Sequence, residues 1–235
     1  YNKINDIFCD YKPDSIFHLA AETHVDTSII EPAKFLHTNF IGTYNLLNIT
    51  KKYLDNYYDK KNIFKFLYIS TDEVYGSLNL NDNSSTEDSP YKPNSPYAAS
   101  KAAADHLVRA WNKTFNLPTL QTNASNNYGI WQYPEKLIPL VISKCLKNEK
   151  IPIYGDGKNI RDWLHIDDHV KGLLLVFNKG KIGENYNISG NNELTNIEIV
   201  NKICLIFDEL FPKKSPHSNL ISFVKDRLGH DFRYS

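Results

Sequence analysis

The chain of 235 residues contains no methionine, not even at position 1. A sequence opening on Tyr1 does not begin where translation begins unless that residue was removed, and residues 1–12 read as the end of a helix already under way. The chain is therefore expected to be a piece of a longer protein. Cysteine is scarce: Cys9, Cys145 and Cys204 lie far apart and form no C-x-x-C. That argues against a disulfide scaffold or a cysteine-rich zinc site and favours a reducing compartment, here the cytoplasm. Neither sign of charge is in excess, with Lys+Arg 27 against Asp+Glu 27, so no basic footprint for nucleic acid is expected. No apolar run approaches membrane-spanning length, and no signal-peptide pattern opens the chain. No membrane partner is expected.

What is present is a globular composition, 41% hydrophobic and 13% aromatic, sufficient for a sizeable core. Residues 14–21 (DSIFHLAA) form a short apolar run ending in small side chains, as a buried parallel strand does. One long amphipathic helix is expected within residues 28–58, with Phe35, Phe40, Leu46 and Leu47 among its apolar positions. Residues 63–70 (IFKFLYIS) give a second strand, 77–95 a polar loop, and 118–125 (PTLQTNAS) a third strand. Beyond residue 130 the pattern is less regular. A helix is expected over 135–148, short strands over 151–155 and 184–190, and a helix over 195–211. Thr195 and Glu198 there have the spacing of a capping box.

Strand, helix, strand, loop, helix, strand is the alternation of a parallel α/β sheet. A dinucleotide-binding sheet of that kind carries a Gly-rich turn after its first strand. No G-x-G-x-x-G occurs here. On the residues alone this argues against such a protein, unless the turn lies upstream of Tyr1.

Two stretches carry chemistry. Thr71, Asp72 and Glu73 follow directly on the second strand, where ligands of open α/β sheets bind. A hydroxyl and adjacent carboxylates there can supply a hydrogen bond, an acid and a base, although a polar loop after a strand reads equally well. Residues 95–111 (SPYAASKAAADHLVRAW) open on Ser95, a good N-cap, and Pro96, suited to a first helical turn. Tyr97 and Lys101 then fall one turn apart on one face. A phenol is a poor base at neutral pH, but a neighbouring ammonium stabilises phenolate, so the spacing would let Lys101 activate Tyr97. A surface helix with an incidental Tyr and Lys has the same spacing.

Taken together, HLAAETHVD (18–26), TNFIGTYNLL (38–47), STDEVYG (70–76), the 95–111 helix, SNNYG (125–129), PEKLIPL (134–140), IPIYGDG (151–157), RDWLHIDDH (161–169) and DRLGHDFRY (226–234) resemble the nucleotide-sugar 4,6-dehydratases of the extended short-chain dehydrogenase/reductase superfamily. The resemblance runs along essentially the whole chain. It implies a Rossmann-like, doubly wound parallel sheet with a smaller α/β substrate-binding domain. Residues 1–125 would be the NAD-binding part and 126–235 mainly the nucleotide-sugar-binding part, with about 155–178 packing back on the first.

The implied activity is NAD-dependent dehydration of dTDP-glucose or UDP-glucose to the 4-keto-6-deoxy sugar nucleotide, a step towards rhamnose and other deoxysugars. Tyr97 would take the 4-hydroxyl proton as hydride passes to NAD⁺, and Thr71 would hold that hydroxyl. Glu73 would remove the C5 proton, Asp72 would protonate the departing 6-hydroxyl, and the hydride would return to C6, so that NAD is recycled. Asp72 favours this group over UDP-glucuronate decarboxylases and GDP-mannose dehydratases, which typically carry Ser there, and over epimerases, which usually lack the acid–base pair; the alternative is a UDP-sugar epimerase, a UDP-glucuronate decarboxylase or a non-catalytic sugar-nucleotide-binding protein.

By the same matching Ala20, Ala21, Glu22, Thr38, Tyr97, Lys101 and Asn127 would meet the cofactor. Thr23, Thr71, Asn126, Lys136, Leu137, Pro152, Tyr154, Arg161, Asn192, Arg227 and His230 would meet the nucleotide sugar. Guanidinium forks at Arg161 and Arg227 suit a diphosphate. Leu228 and Ile130 stand where the family usually has Pro. The family usually dimerises through two helices per subunit, here the helix within 28–58 and the Tyr97 helix, with Leu107 and Trp111 as compatible apolar positions. His165 and His169 have the i, i+4 spacing of a metal site but lack the Glu of H-E-x-x-H. They are expected to be ordinary strand-to-helix structure, and no metal is expected.

Overall fold

The computed structural model of the chain describes residues 2–56, 63–212 and 216–235. In chain order the helices are α1 (Asn2–Tyr11), α2 (Val25–Ile30), α3 (Pro32–Phe35), α4 (Gly42–Asn56), α5 (Pro96–Phe115), α6 (Leu137–Lys147), α7 (Ile166–Lys179) and α8 (Asn196–Leu210). The strands are β1 (Ser15–His18), β2 (Lys65–Thr71), β3 (Thr119–Ala124), β4 (Asn126–Tyr128), β5 (Ile151–Tyr154), β6 (Ile160–His165), β7 (Asn185–Ile188), β8 (Glu193–Thr195) and β9 (Ile221–Val224).

Two compact units result. The first takes Tyr1–Gly76, Ser85–Ala124 and Val170–Ile188; the second takes Ser77–Ser84, Ser125–His169 and Ser189–Ser235. The expected division at 125/126, with about 155–178 packing back on the first part, is shifted: the returning stretch of the first unit is Val170–Ile188, and Ser77–Ser84 belongs to the second. The second assignment has a clear cause. The Arg233 guanidinium donates to both oxygens of Glu193, at 2.6 and 2.8 Å, and its remaining nitrogen to the carbonyls of Asn79 and Asp82. Nothing in the local sequence of 77–84 announces that clasp.

In the first unit β1, β2, β3 and β7 form a parallel sheet in the order β1-β2-β3-β7. Alternation along β2 sends side chains to opposite faces. Phe66 and Tyr68 join a core with Leu47 and Leu54 of α4 and Ala104 and Val108 of α5. Leu67 joins a separate core with Leu120 of β3 and Leu173 and Val176 of α7. Both faces are covered, which is why β3 is buried along its whole length. The second unit has the sheet β4-β6-β8, with β4 and β6 parallel, and the parallel pair β5-β9. Its core sets Val141 and Cys145 of α6 and Val200, Cys204 and Phe207 of α8 against Ile151 and Ile153 of β5.

The single helix expected within 28–58 is corrected. The chain forms α2, α3, a π-helical turn Leu36–Ile41 and then α4. The break falls at Glu31, ahead of Pro32, because proline disfavours helical geometry in the residue before it and lacks the N–H that would continue the ladder. Positions 57 and 58 of the expected helix lie outside the described residues. The capping box at Thr195 and Glu198 is present as read. His165 ends β6 and Ile166 opens α7, the expected strand-to-helix junction.

Candidate active site

In the first unit the site is built on the carboxyl ends of parallel strands. β2 ends at Thr71, whose hydroxyl caps a 3-10 turn, Asp72–Tyr75, by accepting from the Glu73 N–H at 3.3 Å. The Thr71 hydroxyl also donates to Asp72 Oδ1 at 3.4 Å. Asp72 and Glu73 are half-buried and Val74 behind them is fully buried. Gly76 closes the turn at φ 81°, and a Cβ there would stand 2.2 Å from the Lys92 carbonyl, so glycine is required.

Tyr97 and Lys101 come from the first turns of α5. Ser95 caps that helix by accepting from the Ala98 N–H at 3.0 Å, with Pro96 at its first position. Both side chains are nearly inaccessible, at 7% and 4% exposure. Burial, followed by the negative charge of Glu73, raises the Tyr97 phenol well above its ordinary range, while the Thr71 hydroxyl hydrogen-bonds to it and opposes the rise. Burial lowers the Lys101 ammonium to about 8. That ammonium donates to the Ile69 carbonyl at 2.8 Å and lies 4.3 Å from the Tyr68 ring centroid. Tyr97 and Lys101 therefore share a buried face of α5, but the ammonium's hydrogen-bond partner in this structure is a backbone carbonyl rather than the phenol.

The cofactor-side residues follow β1. Ala20 and Ala21 leave the carboxyl end of the strand without bulk, and Ala20 is exposed. Glu22 is held by Asn39, the neighbour of the expected Thr38. Asn39 accepts from the Glu22 N–H at 2.8 Å and donates to the Glu22 carbonyl at 3.0 Å and to Ser100 Oγ at 2.9 Å. The loop after β1 is thereby tied to the helix that carries Tyr97. Asn39 lies on the π-helical turn, whose presence no side-chain periodicity reveals. Thr23 is exposed and Thr38 half-buried. Small side chains at a strand's carboxyl end, with a buried phenol and ammonium on the adjoining helix, are a donor set that fits a dinucleotide carrying a nicotinamide.

The second unit gathers the remaining sequence-identified residues in three places. Asn126 and Asn127 lie on β4, paired with Trp163 and Leu164 of β6, and Lys136 is the N-cap of α6, with Leu137 its first residue. Pro152 and Tyr154 lie on β5, and His230 packs edge-on to Tyr154 at 6.2 Å between ring centroids while its Nδ1 meets Asp226 Oδ1 at 2.7 Å. Burial and the neighbouring Arg227 lower the His230 imidazole. Asn192 is exposed, and its N–H donates to the buried Asp162 at 2.7 Å. Arg161 is buried, donates to the carbonyls of Ile160, Asp231 and Phe232, and stacks 4.4 Å from the Tyr234 ring centroid. Its guanidinium thus also holds the 231–232 backbone, a task the sequence did not show.

A parallel sheet covered on both faces, with a Tyr–Lys pair on the helix against it and a hydroxyl and carboxylates at the end of the neighbouring strand, defines a Rossmann-like α/β protein of short-chain dehydrogenase/reductase type. The sequence pattern of the family described as GDP-mannose 4,6 dehydratase matches residues 1–234, and the chain belongs to that family. It is 54% identical over 239 residues to the dTDP-glucose 4,6-dehydratase of Haemophilus influenzae, covering 100% of this chain and 71% of that protein. Against dTDP-glucose 4,6-dehydratase 1 of Escherichia coli K12 the identity is 52% over 240 residues, covering 97% of this chain and 66% of that protein. DesIV, the dTDP-glucose 4,6-dehydratase of Streptomyces venezuelae crystallised with NAD bound, superposes with a TM-score of 0.87 at 42% identity, over 98% of this chain and 67% of that one. The chain thus spans about two thirds of the length of these relatives.

Among the described residues no helix is long and apolar enough to cross a membrane, and no cluster of three His, Cys, Asp or Glu side chains is placed to hold a metal ion.

Proposed function

We propose that the protein dehydrates dTDP-glucose to its 4-keto-6-deoxy product, as a hydro-lyase that keeps and recycles NAD. The observation that carries this reading is the Thr71-Asp72-Glu73 turn at the end of β2, with the Glu73 charge and the Thr71 hydroxyl both acting on the buried Tyr97 phenol of α5. Ala20, Ala21, Glu22, Thr38, Tyr97 and Lys101 would hold the cofactor in the first unit. Bound NAD would supply the hydride acceptor for C4, return the hydride to C6, and bring a nicotinamide positive charge to the site.

Tyr97 then takes the 4-hydroxyl proton while Thr71 hydrogen-bonds that oxygen. Glu73 removes the C5 proton, acidified by the new 4-ketone, and Asp72 protonates the departing 6-hydroxyl, so that water leaves. The carboxylates work in opposite directions, which requires their environments to separate their protonation states. In the second unit Asn126, Lys136, Leu137, Pro152, Tyr154, Arg161, Asn192, Arg227 and His230 would bind the nucleotide sugar. Thymine as the base is supported by the relatives' names at about half identity. We further propose a homodimer packed through α4 and α5, and a reducing, cytoplasmic location in keeping with three free thiols.

The test is mass spectrometry of dTDP-glucose and UDP-glucose after incubation with NAD⁺ and the protein expressed from its complete open reading frame. Loss of one water from dTDP-glucose alone is expected. Loss from neither, with both demonstrably bound, would sink the dehydratase reading.

A further inference from the structure

Buried parallel strands are normally apolar, yet β3 carries Gln121 and Asn123 on one face, both buried. Their partners explain them. Gln121 Nε2 donates to the Tyr91 hydroxyl at 3.1 Å and to Asn123 Oδ1 at 3.3 Å. The Tyr91 hydroxyl donates to Asp105 Oδ2 at 2.8 Å, and Asn123 Nδ2 donates to the same oxygen at 3.2 Å. Asn123 Nδ2 also reaches the Thr71 carbonyl at 3.0 Å. Asp105 is 2% exposed and stands one helical turn beyond Lys101, on the face that carries Tyr97 and Lys101. The network faces a cavity of about 650 Å³, lined in part by Tyr91, Asp105 and Gln121.

We propose that Asp105 is a positioning residue for the reaction: its buried carboxylate keeps Lys101 cationic and, through Asn123, fixes the backbone of Thr71. The inference rests on the reading of Tyr97 and Lys101 as the proton-transfer pair. An uncompensated ammonium in so dry a place would shed its proton, and a carboxylate one turn away opposes that. Burial lowers Lys101 to about 8 and Asp105 raises it. Burial pushes Asp105 itself up to about 6, opposed by Ser70, Lys101, Tyr91 and Asn123. Both groups are therefore charged between about 6 and about 8.

The other titratable groups facing the pair are Tyr68 of β2, Tyr75 of the 3-10 turn, Tyr91 of the loop and Tyr97 of α5, all raised, mainly by burial, and neutral in that range. His18 of β1, which feels Lys101, is lowered to about 4 and is neutral there too. On the cavity side the titratable and charged groups are Glu87, Asp88, His106, Arg109, Lys113 and Glu184.

The test compares the NAD-loaded protein from its complete open reading frame with Asp105→Asn and Tyr91→Phe. Removing an opposite charge shifts a neighbour by roughly 1–3 units. In Asp105→Asn the alkaline limb of kcat moves down by about one unit or more, so the deficit against wild type grows with pH while KM changes little. A merely structural role lowers kcat by one factor at every pH. Tyr91→Phe keeps the carboxylate but removes a hydrogen bond that lowers it, so the acid limb moves up from about 6 and the alkaline limb stays. If Asp105→Asn does not fold, Tyr91→Phe decides. Separately, ¹³C NMR titration of Lys101 should show its pKa falling by about one unit or more in Asp105→Asn. An unchanged Lys101 titration, or pH profiles parallel to wild type, overturns the inference. A wild type without dehydratase activity but with the NMR shift would refute the functional reading and leave the Asp105–Lys101 coupling standing.

Discussion

Burial acts in opposite senses on Tyr97 and Lys101. It holds the phenol protonated and urges the ammonium to lose its proton. The proposed mechanism needs a phenolate and a cation together: the Thr71 hydroxyl opposes the rise of the phenol, and Asp105 opposes the fall of the ammonium while adding to the rise of the phenol. In the proposed mechanism the carboxylates beside them divide the labour. Asp72→Asn removes the proton donor for the 6-hydroxyl but leaves Glu73, so water loss should slow by about a hundredfold or more. Deuterium exchange at C5 of the sugar, followed by NMR in D₂O, should persist, and its disappearance would contradict the assignment of roles.

His18 shows the same physics as a stability effect. Its ring is buried, bonded to Thr43 Oγ1 at 2.8 Å, and lowered to about 4, chiefly by desolvation. The unfolded chain binds the proton near 6.5 and the folded chain only near 4. Stability is therefore full above pH 6.5 and declines as pH falls through that window. Urea melts of His18→Gln against wild type should show a shallower acid decline in the variant.

At the scale of elements, what matters is how loops without regular structure are tied to regular ones. Asn39 joins the loop after β1 to α5 through three hydrogen bonds. Asn39→Leu leaves the Glu22 N–H and carbonyl without that partner, at a cost of about 1–3 kcal/mol for each group that stays buried. Denaturant melts should register the loss, and NAD affinity should fall with it.

The α5 start was legible because its signals are local: Ser95, Pro96 and the Tyr97–Lys101 spacing are contiguous in sequence. The π-helical turn was not, since it is a displacement of the backbone ladder and leaves no periodic trace in the side chains. β4, β8 and β9 are three or four residues long and polar or half-exposed along much of their length, so no apolar run marks them as it marks the equally short β1 and β5. The Gln121–Tyr91–Asp105–Asn123 network was illegible for another reason. Its members are brought together by the register of β3 against β2 and by the path of the loop, both of them tertiary facts.

For the whole molecule, the proposed chemistry is divided between two compact units. The groups proposed to react, Thr71, Asp72, Glu73, Tyr97 and Lys101, lie in the first, and the residues from Asn126 onward proposed to bind the sugar nucleotide lie in the second. The proposed dimer belongs to this scale as well. Tyr44 of α4 is 39% exposed and packs edge-on to Trp111 of α5 at 5.7 Å between ring centroids. Tyr44→Glu would bury a charge in that interface, so sedimentation should show the variant as a monomer where wild type sediments as a dimer. An unchanged sedimentation coefficient would place the interface elsewhere.

The central claim is that one site removes a hydride from C4, expels the 6-hydroxyl as water and restores the same hydride at C6. It is tested most directly with dTDP-glucose deuterated at C4, turned over in ordinary water by the NAD-loaded protein and analysed by NMR and mass spectrometry. The account predicts a product lighter by one water with the deuterium at C6. Deuterium still at C4 with no water lost, or exchanged into solvent, would contradict it.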